Sequence, residues 1–129
     1  MRAFDSPPEA LAYVVAFLIP KQQGYIVNFY GPGEEQVLSQ IVDQQIVFED
    51  DELGLTLFLP FQDTPDFLES FNMLARRDEF DDVTQNEIPS YAMRFNTDVR
   101  AALHMLATVL DEVYGYPPLT HFKCEIEEH

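Results

Sequence analysis

The amino-acid sequence predicts an α+β fold, a mainly antiparallel sheet of about five strands with helices packed on one face. Three observations carry this. Leu55, Leu57, Leu59 and Phe61 alternate with other residues, so they share one face of a strand, as in antiparallel sheets with a single covered side. Val99, Leu103, Leu106, Leu110 and Val113 recur at helical spacing and supply a covering stripe. The chain has 129 residues, 47% of them hydrophobic. That suits one domain, 1–129, since a fold of this size removes roughly two-thirds of the unfolded surface from water.

The predicted order is α-β-α-β-β-α-β-α-β. Ser6-Pro7-Pro8-Glu9 has the form of a capping box with proline at the first helical position. Leu11, Val14, Val15 and Leu18 follow as a stripe, widened by Tyr13 and Phe17, and Pro20 ends the helix. The β-branched and aromatic run Tyr25-Ile26-Val27-Asn28-Phe29-Tyr30 predicts a strand, closed by Gly31-Pro32-Gly33. Val37, Leu38, Ile41 and Val42, at i, i+1, i+4 and i+5, predict a short helix. Residues 45–49 and 53–61 predict a hairpin joined through Glu49-Asp50-Asp51-Glu52, with Pro60 at the end or edge of its second strand.

Asp63-Thr64-Pro65 opens a second helix with Phe67, Leu68, Phe71 and Leu74 turned inward. Arg76 and Arg77 close it, where the helix dipole favours cations. Residues 78–89 form a polar connection, and Tyr91, Met93 and Phe95 then mark a strand. Asn96 or Thr97 caps the longest helix, which Gly115 stops, with Pro117 and Pro118 beyond. Phe122, Cys124 and Ile126 alternate with charged residues in a final strand.

Charge narrows the partners. Asp and Glu number 23 against 7 Lys and Arg, a formal net charge of -16. This argues against nucleic acid as a partner, because phosphate neutralisation needs clustered basic residues. It argues equally against adhesion to anionic membranes. The longest apolar stretch, residues 10–19, is about half a bilayer span. Residues 1–9 lack the form of a signal peptide, and a single cysteine permits no intrachain disulfide. A cytoplasmic location is the expectation.

No motif names a reaction, and no cofactor or metal is expected. His121 and His129 flank Glu125 and Glu127 on one strand face, but eight residues of strand hold the two imidazoles roughly 26 Å apart. A charged edge strand is the expected role of that face. Cys124 alternates with core residues and reads as a small buried hydrophobe. Gly31-Pro32-Gly33-Glu34-Glu35 lacks the Gly-Lys-Ser/Thr ending of a phosphate loop and reads as a turn. Asp78-Glu79-Phe80-Asp81-Asp82 fails the EF-hand pattern, since Val83 takes the place of its glycine and Pro89 that of its final Glu. It reads as a solvated acidic loop that, with Asp50 and Asp51, is a candidate surface for a basic protein, Phe80 serving as an aromatic contact. Arg94 points away from Met93 and Phe95 in an otherwise apolar strand, which marks a ligand or peptide groove or a surface ion pair.

Three function classes fit. The first is a non-catalytic protein-binding module, chaperone-, inhibitor- or immunity-like, with a DNA-mimic inhibitor as a sub-case. In size, acidity and mixed helix–strand order the chain is similar to the small acidic chaperones of bacterial secretion systems, a likeness of architecture that transfers no residue. The second is an enzyme or small-ligand binder with a pocket between the sheet and the long helix, using Arg94, His104 or Tyr114. The third is a subunit whose partner is its own copy, a homodimer formed through the Leu stripe or the edge strands. The first is favoured, since no local group of His, Cys, Ser and carboxylates has a spacing that makes chemical sense.

Self-repulsion among so many carboxylates opposes folding at low ionic strength. Raising salt to physiological levels should therefore raise the melting temperature, measured by circular dichroism. A flat or falling trend over that range would refute this.

Overall fold

A computed structural model of the chain describes residues 2–31, 37–48, 54–59, 65–83, 90–117 and 122–128. Among them seven strands form one antiparallel open sheet. They are β1 (Arg2–Phe4), β2 (Tyr25–Tyr30), β3 (Val37–Asp43), β4 (Leu55–Leu59), β5 (Asp81–Asp82), β6 (Tyr91–Asn96) and β7 (Lys123–Glu128). Their spatial order is β1-β7-β2-β3-β4-β6-β5. Four helices accompany them: α1 (Pro7–Tyr13), α2 (Gln44–Phe48), α3 (Pro65–Asn72) and α4 (Val99–Glu112). The mixed fold and the antiparallel pairing match the sequence-based expectation, while the strand count and element order differ.

The helix signals act locally as chemistry predicts. The Ser6 hydroxyl accepts the Glu9 N–H at 3.4 Å, and α1 continues into a π-helical stretch, Val14–Leu18. Asp98, rather than Asn96 or Thr97, caps α4, its Oδ1 accepting the Ala101 N–H at 3.1 Å. Asn96 instead takes a left-handed φ of 52°. Gly115, at φ 80°, lets the chain reverse after α4, and the Tyr116 N–H bonds back to the Leu110 carbonyl at 2.8 Å. The second helix is shorter than expected: α3 ends at Asn72, and Arg77 belongs to a separate 3-10 turn, Arg77–Glu79.

Helices α1, α3 and α4 cover one face. Its floor is Tyr25, Val27 and Phe29 of β2, Ile41 of β3, Leu55, Leu57 and Leu59 of β4, and Cys124 and Ile126 of β7, all essentially without exposure. Leu11 comes down from α1, Val14 from the π-helical stretch that continues it, and Met105, Leu106, Val109 and Leu110 from α4. Phe71 of α3 joins Tyr91 at 4.6 Å between ring centroids.

Two adjacent segments overturn the expected assignments. The spacing of Val37, Leu38, Ile41 and Val42 predicts a helix, yet they lie in strand β3. Ile41 faces the core opposite Val27 and Leu57, while Val42 turns to the other face and is buried there too. A strand buried on both faces loses the alternation that identifies it. Residues 45–49, expected as a strand, form α2 through Phe48, which starts directly after β3 and lies on the face opposite the other helices. The Asp43 carboxylate accepts the Gln45 N–H at 3.1 Å and supplies its cap.

Strands β1 and β5 were not expected, because three and two residues are too few to show a period. β1 covers β7, so the last strand is interior and not the charged edge its sequence suggests. Pro60, Phe61, Asp63, Thr64 and the connection through Asp50 and Asp51 lie outside the described residues.

Tyr25 ties the sheet centre together. Its buried hydroxyl donates to the Gly54 carbonyl at 2.6 Å, just before β4, and burial and the nearby Asp43 push its ionisation far up. A Cβ at Gly54 would stand 2.9 Å from Gln44 Oε1 and 3.1 Å from the Asn96 backbone, so a side chain there requires Gln44 to shift and the Asn96 backbone to give way. Tyr25→Phe removes the hydroxyl's bond to the Gly54 carbonyl while the Gln44 N–H still reaches the same carbonyl at 3.0 Å, and should cost about 0.5–1.5 kcal/mol in urea unfolding. A cost below ~0.5 kcal/mol would show that the bond adds nothing net.

A candidate docking face on the open side of the sheet

The sheet register places two rows of side chains on the face away from α1, α3 and α4. One runs Ala3, Glu125, Asn28, Gln40, Phe58, Ala92 and Asp81, crossing all seven strands. The next runs Glu127, Ile26, Val42, Thr56 and Arg94. Among the described elements α2 alone lies on this side. Between α2 and the sheet is a groove of about 230 Å³. Ile26, Val42 and Phe58 form its floor, and Ile46 and Val47 of α2 form a wall. Ile46 is 47% exposed, whereas Val42 beneath is buried.

Polar contacts fix the surroundings. Gln40 Nε2 donates to Asn28 Oδ1 at 2.7 Å and holds the middle of the first row. Toward β7 the Tyr30 hydroxyl donates to Glu125 Oε2 at 3.3 Å, and the Lys123 amine stands 3.1 Å from Glu125 Oε1. Burial first, and then Glu125, raises the Tyr30 ionisation above the usual phenol range. Among the described residues Asp43 is the one buried carboxylate, so the acidic surplus there lies at the surface.

Arg94 does point away from Met93 and Phe95, as its sequence context indicates, and its guanidinium lies 3.9 Å from the centroid of the Phe48 ring of α2. It therefore braces the wall of the groove by a cation–π contact. His104 is exposed on α4, beside Arg76, Asp98 and Arg100, on the other side of the sheet. Tyr114, just past α4, donates its hydroxyl to the Leu38 carbonyl at 2.6 Å, and burial pushes its ionisation far up. The expected pocket joining Arg94, His104 and Tyr114 is not formed, because the sheet itself separates Arg94 from α4.

The acidic segment divides in the same manner. Phe80 is buried and packs edge-on against Phe71 at 5.2 Å, so it belongs to the core and offers no surface contact. Glu79 receives both Arg76 Nε and Nη2, which draws its carboxyl below the usual range. Asp78, Asp81 and Asp82 are exposed, and of them Asp81 shares the groove's face through its pairing with Ala92. His121, His129, Asp50 and Asp51 lie outside the described residues.

Other reactive groups are sequestered. The Cys124 thiol is pushed up to about 12 by burial and then by Glu9, and its Sγ leans on the Phe122 carbonyl at 3.6 Å. Among the described residues no group of three His, Cys, Asp or Glu could hold a metal ion, and no helix is long and apolar enough to cross a membrane. Searches of protein-family models, curated proteins and solved structures find no match to this chain.

Sequence reasoning missed Ile46, Val47 and Phe48 as a groove wall because it placed them in a strand. The usable signal was the adjacent apolar pair Ile41-Val42, since a strand with neighbours buried on opposite faces requires something to cover its second side.

Asp43 sets the footing of α2. Burial holds its carboxyl above the usual range, against the pull of the Gln45 N–H. The folded chain thus keeps this proton to higher pH than the unfolded chain. Ionisation costs stability above the folded pKa, and the cost is relieved as pH falls through that value. Asp43→Asn should therefore be more stable than the parent at pH 7, with the gain shrinking on acidification toward pH 4. Urea unfolding at several pH values measures it, with exposed Asp78→Asn as a control for simple charge removal. A gain no larger than the control's would show that burial of Asp43 carries no cost.

Proposed function

We propose that this chain is a non-catalytic protein-binding module, in the manner of a chaperone, inhibitor or immunity protein, and that it docks its partner on the open face of the sheet. The observation that carries the reading is the groove beside α2. A sheet face with aliphatic side chains held half-open, next to an exposed Ile46, loses free energy on being covered. At about 230 Å³ the groove is smaller than most small-molecule sites, which run from roughly 300 to 1,000 Å³, and suits anchoring side chains of another chain. The placement of the nucleophilic groups supports the same reading. Cys124 and the hydroxyls of Tyr25 and Tyr114 are spent on packing and on backbone carbonyls.

The test is capture from an extract of the source cells on immobilised full-length chain, in three versions. Wild type should retain a partner and Ile46→Asp should release it. Met73→Asp, changing an apolar residue that is 80% exposed just past α3, should retain it. Thermal melts of both variants accompany the capture, and loss of binding by Ile46→Asp at an unchanged melting temperature reports contact and not unfolding. A partner that survives Ile46→Asp and is lost with Met73→Asp would move the site off the sheet.

A further inference from the structure

We infer that the occupant of the groove is a cationic polypeptide segment in which aliphatic side chains are flanked by lysine or arginine; this rests on reading the open sheet face as the docking surface. The register supplies the argument. Glu127 on β7 pairs with Ile26 and stands two strands from Val42, roughly 5 and 10 Å at the usual strand spacing, and Glu125 lies two residues along β7, opposite Asn28. On the far side Asp81 stands one strand beyond Ala92 and two beyond Phe58. The apolar floor is therefore bracketed by carboxylates in both directions.

Among the described residues the cations of this face meet the bracket at Glu125, where the Lys123 amine stands at 3.1 Å, while Glu127 and Asp81 carry the rest of it. The Arg94 guanidinium is stacked on Phe48, and Lys123 stands beside Glu125 and the Tyr30 ring at the β7 side. A chain of net charge -16 draws a basic segment from a distance and repels an acidic one. A neutral aliphatic segment would gain burial alone. An aliphatic anchor set into the groove places basic neighbours a few residues away within reach of Glu125 and Glu127 on one side and Asp81 on the other. Burial then supplies the lasting contact, and charge supplies encounter rate and choice of partner.

Three synthetic peptides test this against the isotope-labelled full-length chain by NMR titration: one alternating Lys with Leu, one Lys with Ser, and one Glu with Leu. The Lys–Leu peptide should shift the amides of residues 26, 42, 46, 47 and 58, and its affinity should fall about tenfold or more between low and physiological salt. Lys–Ser should bind at least about tenfold more weakly. Ile46→Asp should weaken Lys–Leu binding although it adds a negative charge, and Glu125→Gln with Glu127→Gln should weaken it while the same amides still respond. Binding of Glu–Leu to those amides would overturn the charge assignment and leave the docking face standing. Equal binding of Lys–Ser, with shifts scattered over the surface, would overturn the aliphatic anchor. Shifts from neither leucine peptide on this face would overturn the docking face itself. Shifts there that depend on protein concentration alone would make the occupant a second copy of the chain.

Discussion

The seat of α4 on β4 and β6 is the constraint from which the rest of the molecule follows. Leu55, Leu57 and Leu59 have no exposed surface, and Met105, Leu106, Val109 and Leu110 meet that layer from above. Each such side chain contributes about 1.5–3 kcal/mol on burial, so this contact decides which face of the sheet is the core. α1 continues the layer over β7, and α3 leans on α4. With three helices committed to one side, the five-residue α2 is, among the described residues, the helix on the sheet's other side. The groove is what such a small cover leaves open.

Those parts of the fold governed by local periodicity were legible in the sequence. The stripe through Leu106 and Leu110, the alternation of Leu55, Leu57 and Leu59, the cap at Ser6 and the outward direction of Arg94 each depend on a few neighbouring residues. What was not legible depends on contacts distant in sequence. β3 lost its alternation because α2 buries Val42 from behind, and α2 could not be recognised as a helix without knowing that Asp43 caps it. The pairing of β7 with β2, which brings Glu125 and Glu127 beside the groove, joins strands nearly a hundred residues apart. No local pattern encodes it. Phe80 reads as a surface aromatic among acids until Phe71 is seen beneath it.

Electrostatics and packing are divided between the two faces. On the helical side the buried polar groups include the Tyr25 and Tyr114 hydroxyls, each bound to a backbone carbonyl, the Ser39 hydroxyl, the Asp43 carboxylate and the Cys124 thiol. On the open side Asp81 is exposed and Glu125 and Glu127 are half-buried, and of the apolar residues between them Ile26 and Phe58 are half-buried while Val42 is buried. On this face an aliphatic patch interrupts the acidic coat. Arg94 and Phe48 show how the chain holds that shape, with a basic residue used to steady a helix of barely more than one turn.

The burial of Cys124 has a practical consequence. The thiol lies on an interior strand, with β1 on one side and β2 on the other, and has no accessible surface. Its side chain faces the helical layer near Glu9 of α1, so an alkylating reagent can reach it only when that corner of the core opens. The speed of alkylation therefore follows the free energy of opening. The molecule carries its own clock for measuring how often the β1–β7–β2 corner breathes, with no added probe.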